Sequence, residues 1–253
     1  MPPRGIKRVI SVSSSCKLVG RGKRKHFKST TGVRLKGLTR ALEKNIWSSG
    51  ILPQAAICGP VRRSGWRGIG GGRRRGLAVD AQLSRIVNRG CTKPKSGQFS
   101  LTKLALAAMF HHGLEPVVCQ RPLCDNRLRI ATAADVICFE KSTSRLIIVE
   151  LKCGYSGAKL AAACKEGVPC RMRGALKTAV DNTLNRHLTQ LACTRELFFR
   201  EKDTLASLGT LGVDTMDVGG FLLYVDDEET NLFTLPDWWK ERSPFILRDA
   251  AKK

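Results

Sequence analysis

The chain has 253 residues and 42% apolar content, enough for one α/β domain with an extension. Its formal charge of +23 is uneven: residues 1 to 75 hold 19 Lys or Arg against the single acid Glu43, and the remainder holds 25 basic against 20 acidic groups. No apolar run is long enough for a secretory leader or a membrane span, so the expectation is a soluble, non-secreted chain with no membrane partner.

Residues 1 to 75 read as a basic, Gly/Arg-rich, partly flexible N-terminal extension, and 76 to 253 as the folded domain. The run Arg21-Gly22-Lys23-Arg24-Lys25-His26-Phe27-Lys28 suits a polyphosphate surface, with a nuclear-import patch or a solvated tail as the alternatives. Ser11 and Ser13-Ser14-Ser15 among basic residues also fit an organelle presequence, so the nucleus is favoured and an organelle is the alternative. The ten cysteines form no C-x-x-C pair, and Cys119, Cys138 and Cys193 lie in apolar runs. Such cysteines behave as small buried hydrophobes in a reducing compartment, and with only His26, His111, His112 and His187 available no zinc spacing appears. Residues 60 to 76 read as a linker. Gly68 to Gly72 fails as a dinucleotide fingerprint because Arg73 stands where the last Gly belongs, and there is no P-loop, so nothing supports ATP use.

Helical periodicity follows over 77 to 88, with apolar positions at Val79, Leu83, Ile86 and Val87, and over 101 to 111, with Leu104, Ala107, Ala108 and Phe110 to bury. Glu115 to Cys124 predicts a strand broken by Pro122. Two apolar runs around Lys141-Ser142-Thr143-Ser144 predict a hairpin, and a turn centred between Ser142 and Thr143 sets Asp135 opposite Glu150. Side chains two apart on a strand share a face, so Lys152 points with Glu150 towards Asp135. Like charges directly opposite are destabilising, and two carboxylates at that separation suit an oxygen-seeking cation such as Mg²⁺ or Mn²⁺. A chance grouping on an exposed hairpin is the plainer alternative. Against it, Ile147-Ile148-Val149 reads as a strand covered on both faces.

Farther on, Asn182 to Arg200 predicts a helix with Leu184, Leu188, Leu191 and Phe198 on one face and Arg186, His187 and Gln190 elsewhere. Phe221 to Val225 and Asn231 to Leu235 predict strands, Asp226 to Glu229 an acidic turn, and Trp238-Trp239 a packed pair.

Asp135, then 14 residues, then Glu150-Leu151-Lys152 on an apolar strand resembles the core of the PD-(D/E)XK nucleases. The order helix, helix, strand, Asp strand, Glu-x-Lys strand is similar to theirs over roughly residues 77 to 235. Gln190 on the following helix resembles the RecB-like or lambda-exonuclease-like branch, although the Tyr expected four residues later is Thr194. The resemblance implies an α/β, restriction-endonuclease-like core, a mixed central sheet flanked by helices. It also implies a Mg²⁺- or Mn²⁺-dependent deoxyribonuclease with Asp135, Glu150, Lys152 and Gln190 as catalytic residues. The metal would sit on Asp135, Glu150 and the Leu151 carbonyl. Asp80 would be a further ligand if it is not simply placed by the helix dipole.

The expected partner is DNA, held through its backbone without sequence specificity, in recombination, repair or replication, with homo-oligomerisation left open. Candidate phosphate contacts are Arg73, Arg74, Arg75, Arg171, Arg173 and Arg186, with Lys159 and Lys165 nearby in sequence. An exonuclease is expected first. A structure-selective, junction-resolvase-like endonuclease and a non-catalytic nucleic-acid-binding or packaging protein are the alternatives.

Overall fold

A computed structural model describes residues 5–20, 26–48, 72–90, 98–154, 170–226 and 229–252. Most of the expected linker, together with Lys159 and Lys165, lies outside the described residues. Among the described residues eight strands form one mixed sheet: β1 (Cys16–Val19), β2 (His26–Ser29), β3 (Arg34–Gly37), β4 (Leu114–Asp125), β5 (Ile130–Glu140), β6 (Arg145–Cys153), β7 (Asp214–Val225) and β8 (Thr230–Thr234). Their order is β1-β2-β3-β5-β6-β7-β8, with β4 also paired to β5. The pairs β3–β5 and β6–β7 are parallel and the others antiparallel.

Seven α-helices cover the sheet among the described residues: α1 (Ile6–Val12), α2 (Leu38–Asn45), α3 (Gly72–Asn88), α4 (Ser100–His111), α5 (Thr183–Phe199), α6 (Lys202–Gly209) and α7 (Asp237–Ala251). None is long and apolar enough to cross a membrane. The alternation of β6 divides the core. Leu146 and Ile148 turn into a large layer with α1, α2, α5, α6 and α7, while Ile147 and Val149 turn into a second layer with α3 and α4. All four side chains are buried, as a strand covered on both faces requires.

The front of the chain is not an appendage. Ile6, Ile10, Leu38, Leu42 and Ile46 are fully buried in the large layer, β3 pairs with β5 at Ile130 and Ala131, and Lys7 Nζ donates to the Val87 and Asn88 carbonyls at the end of α3. A basic composition had concealed these short apolar elements. The helix expected from Leu77 starts at Gly72, so Arg73, Arg74 and Arg75 are helical in backbone; their side chains lie outside the described residues.

Two further expectations need correction. Pro122 does not break β4: β4 forms a ladder only with β5 among the described residues, and an edge strand tolerates a missing N–H. In α4 the buried face is Leu101, Ala105, Leu106, Ala108 and Met109, whereas Ala107 and Phe110 are exposed. Leu104 to Phe110 is an unbroken apolar run, so periodicity alone did not set the rotation. A further helix, α7, follows β8, and its Trp239 packs in the large layer as expected of the tryptophan pair.

Candidate active site

The β5–β6 hairpin has the predicted register, running from Glu140↔Arg145 to Val136↔Val149 around Lys141 to Ser144. Asp135 and Glu150 are the next positions along the two strands. On the other side of β5 the ladder runs through Cys119↔Val136 and Arg121↔Ala134 but omits Gln120 and Asp135. Gln120 has a left-handed backbone (φ 55°), which marks a local distortion of the edge. Its side chain donates Nε2 to Asp135 Oδ1 at 3.2 Å, while the Leu151 backbone N–H donates to Asp135 Oδ2 at 3.1 Å. The carboxylate is thereby clamped between β4 and β6.

On β6, Glu150 lies beside Leu222 and Lys152 beside Tyr224 in the parallel ladder with β7, so these four side chains share the face that α5 covers. Lys152 Nζ donates to Glu150 Oε1 at 2.6 Å and to Gln190 Oε1 at 3.2 Å. Gln190 is carried by α5, which Asn182 starts by accepting the Asn185 N–H at 2.8 Å. Glu150 is 1% exposed, and its second oxygen, Oε2, is buried with no hydrogen-bond partner among the described residues.

Electrostatics couple these groups to α3. Burial, then Asp135, raises the Glu150 carboxyl to about 8 despite Lys152. Burial, then Asp135, raises Asp80 to about 7, with Lys152 opposing. Asp135 is itself raised, by burial, against the pull of Lys152, the Leu151 N–H and Gln120. Three carboxyl groups from three elements therefore feel one another around a single ammonium. His187, one turn before Gln190, shares a 2.8 Å hydrogen bond with the Tyr224 hydroxyl. Burial, then Lys152 and Arg186, holds its imidazole well below its usual range, in the neutral form.

Asp135, Glu150, Lys152 and Gln190 are brought together, with Asp80 near enough to interact. The predicted phosphate contacts are not grouped in the same way. Arg186 is 7% exposed, pairs with Asp181 at 2.5 Å and stacks on Trp47, so it lacks the exposure a phosphate contact needs. Arg171 and Arg173 are exposed but donate to the Thr178 and Trp47 carbonyls. Sequence reasoning missed Gln120 and Tyr224. Gln120 has no local signal, because its role comes from a kink opposite Asp135; Tyr224 was visible only as a strand residue.

Among the described residues, no group of three or more His, Cys, Asp or Glu is placed to hold a metal ion. No protein-family model matches the chain, and no curated protein matches it.

Proposed function

We propose that the protein is a metal-dependent DNA nuclease built on a restriction-endonuclease-like core, acting first as an exonuclease. The observation that carries this reading is the Lys152 ammonium held between Glu150 and Gln190, with Glu150 next to the clamped Asp135. The donor set fits Mg²⁺ or Mn²⁺. Such ions take hard oxygens, and Mg²⁺ uses one or two carboxylates with water and phosphate completing the shell, so a three-carboxylate cluster is not required. Among the described residues the buried Oε2 of Glu150 has no hydrogen-bond partner and is open to a cation, which would favour the ionised form of the Glu150 and Asp80 carboxyls that burial, then Asp135, raises. Asp135, Glu150 and the Leu151 carbonyl would hold the ion, with Asp80 as the further candidate.

When bound, the ion would supply Lewis-acid stabilisation of the charge that builds on the scissile phosphate. The chain does the rest. Lys152 positions the attacking water through its N–H donors, and takes that water's proton only in its neutral amine form, after giving up one of its own. Gln190 keeps the ammonium from folding wholly onto Glu150, and Gln120 fixes the rotamer of Asp135.

Cleavage of linear and covalently closed circular duplex DNA, with Mg²⁺ or Mn²⁺ and with EDTA, tests the proposal. Lys152→Ala is expected to lower the rate by about 10²–10⁴-fold with DNA affinity retained, and Glu150→Ala to abolish metal-dependent cleavage. Loss of linear substrate alone identifies an exonuclease, and nicking of the circle an endonuclease. No metal-dependent cleavage of either substrate would leave a non-catalytic nucleic-acid-binding protein.

A further inference from the structure

The three strands β1, β2 and β3 form an antiparallel ribbon of opposite faces. Cys16, Phe27 and Leu35 turn inwards and pack with Cys124 of β4 and Ala131 of β5. On the other face Lys17 stands directly across from Lys28, and Lys28 directly across from Arg34. Lys36, two residues beyond Arg34 on β3, shares that face. Like charges facing each other across a ladder oppose folding. Natural sheets relieve such rows with acids. None does so here: no ion pair among the described residues involves Lys17, Lys28, Arg34, Lys36, Arg40 or Lys44. Besides its burial, the charges Lys36 feels are Lys44 and Arg40 on α2, again positive. Lys17 and Arg34 are exposed, Lys28 and Lys36 half-buried.

We infer that this basic ribbon face is a second nucleic-acid backbone contact, separate from the cleavage site and reached by the same strand. Lys36 is registered with Ile130, whose side chain lies in the large layer that also carries α5. Asp135 lies five residues farther along β5, about 16 Å at roughly 3.3 Å per residue. A free phosphate or a mononucleotide cannot span that distance; a polynucleotide can. A row of charges across three strands matches a periodic polyanion. An anionic membrane surface fits less well, because among the described strand residues this face carries one apolar side chain, Val19, and no Trp, Phe or Leu to enter the interface. The choice of nucleic acid rests on the nuclease reading, but binding and cleavage are measured separately.

The test is binding of the full chain to a labelled duplex in EDTA over a salt series, by fluorescence anisotropy. Replacing Lys17, Lys28, Arg34 and Lys36 together by Gln is expected to weaken binding at least tenfold at low salt. The log–log salt slope should flatten by about 3 to 4, from about 0.9 per phosphate contact. Neutralising Lys177, Arg242, Arg248 and Lys252 instead removes the same charge from elsewhere and should have a much smaller effect. Lys28→Glu guards against misfolding, since it creates two cross-strand ion pairs: it should raise the melting temperature and still weaken binding. An unchanged slope, an equal loss in the control, or stronger ribbon-dependent binding to phosphatidylserine vesicles than to DNA overturns the inference. Ribbon-dependent binding without metal-dependent cleavage supports it and removes the nuclease reading, whereas cleavage with ribbon-independent binding does the reverse.

Discussion

Glu150 shows how much of the site's chemistry is a matter of burial. Unfolded, its carboxyl titrates near the ordinary value of about 4; folded, burial and Asp135 raise it to about 8, and Asp80 to about 7. The native state therefore binds more protons than the unfolded state between these values, and its stability falls as pH rises through that window. In EDTA, Glu150→Gln should gain melting temperature relative to the wild type as pH goes from 5 to 8, at about 2–4 °C per kcal/mol for a chain of this size. A gap that does not change with pH would show that Glu150 does not titrate there. At the same scale, Gln120 and the Leu151 N–H hold Asp135 by geometry rather than charge.

At the scale of the element, α5 is the piece that completes the site, because it brings Gln190 to Lys152. Its first turn is fastened by Arg186, which pairs with Asp181 and stacks on Trp47, while the Ser48 N–H and hydroxyl also donate to Asp181. Burial raises the Asp181 carboxyl, but the bonds from Arg186 and Ser48 outweigh it and hold the group below its usual range. Removing one partner of so buried a pair leaves the other uncompensated, so Arg186→Ala is expected to destabilise the chain by about 3–5 kcal/mol. Chemical denaturation measures that loss. The salt slope of DNA binding should stay unchanged in the same variant; a lower slope would return Arg186 to the phosphate contacts.

For the whole molecule, composition and architecture divide the chain differently. Charge placed a boundary near residue 75, yet five large side chains ahead of it, Ile6, Ile10, Leu38, Leu42 and Ile46, are fully buried against the sheet. At roughly 1.5–3 kcal/mol each they contribute about 8–15 kcal/mol, comparable with the whole net stability of a typical domain, about 5–15 kcal/mol. A fragment of residues 72–253 is therefore expected to lose its cooperative thermal transition, followed by circular dichroism. A sharp transition near that of the full chain would restore the boundary.

The sequence by itself determined the hairpin, its register and the meeting of Asp135, Glu150 and Lys152. Those depend on contacts near in the chain, where the short turn from Lys141 to Ser144 fixes the register and alternation puts Glu150 and Lys152 on one face. It also marked the buried positions of α3, because apolar residues there recur among polar ones, and failed on α4, where Leu104 to Phe110 is unbroken apolar sequence. Only the tertiary structure decided that the basic front folds onto β5, that Gln120 kinks to hold Asp135, and that Arg186 turns inwards. Each depends on residues remote in sequence arriving at one place, through a parallel ladder, a broken edge or a buried ion pair, and short elements with mixed composition carry no periodic trace of such meetings.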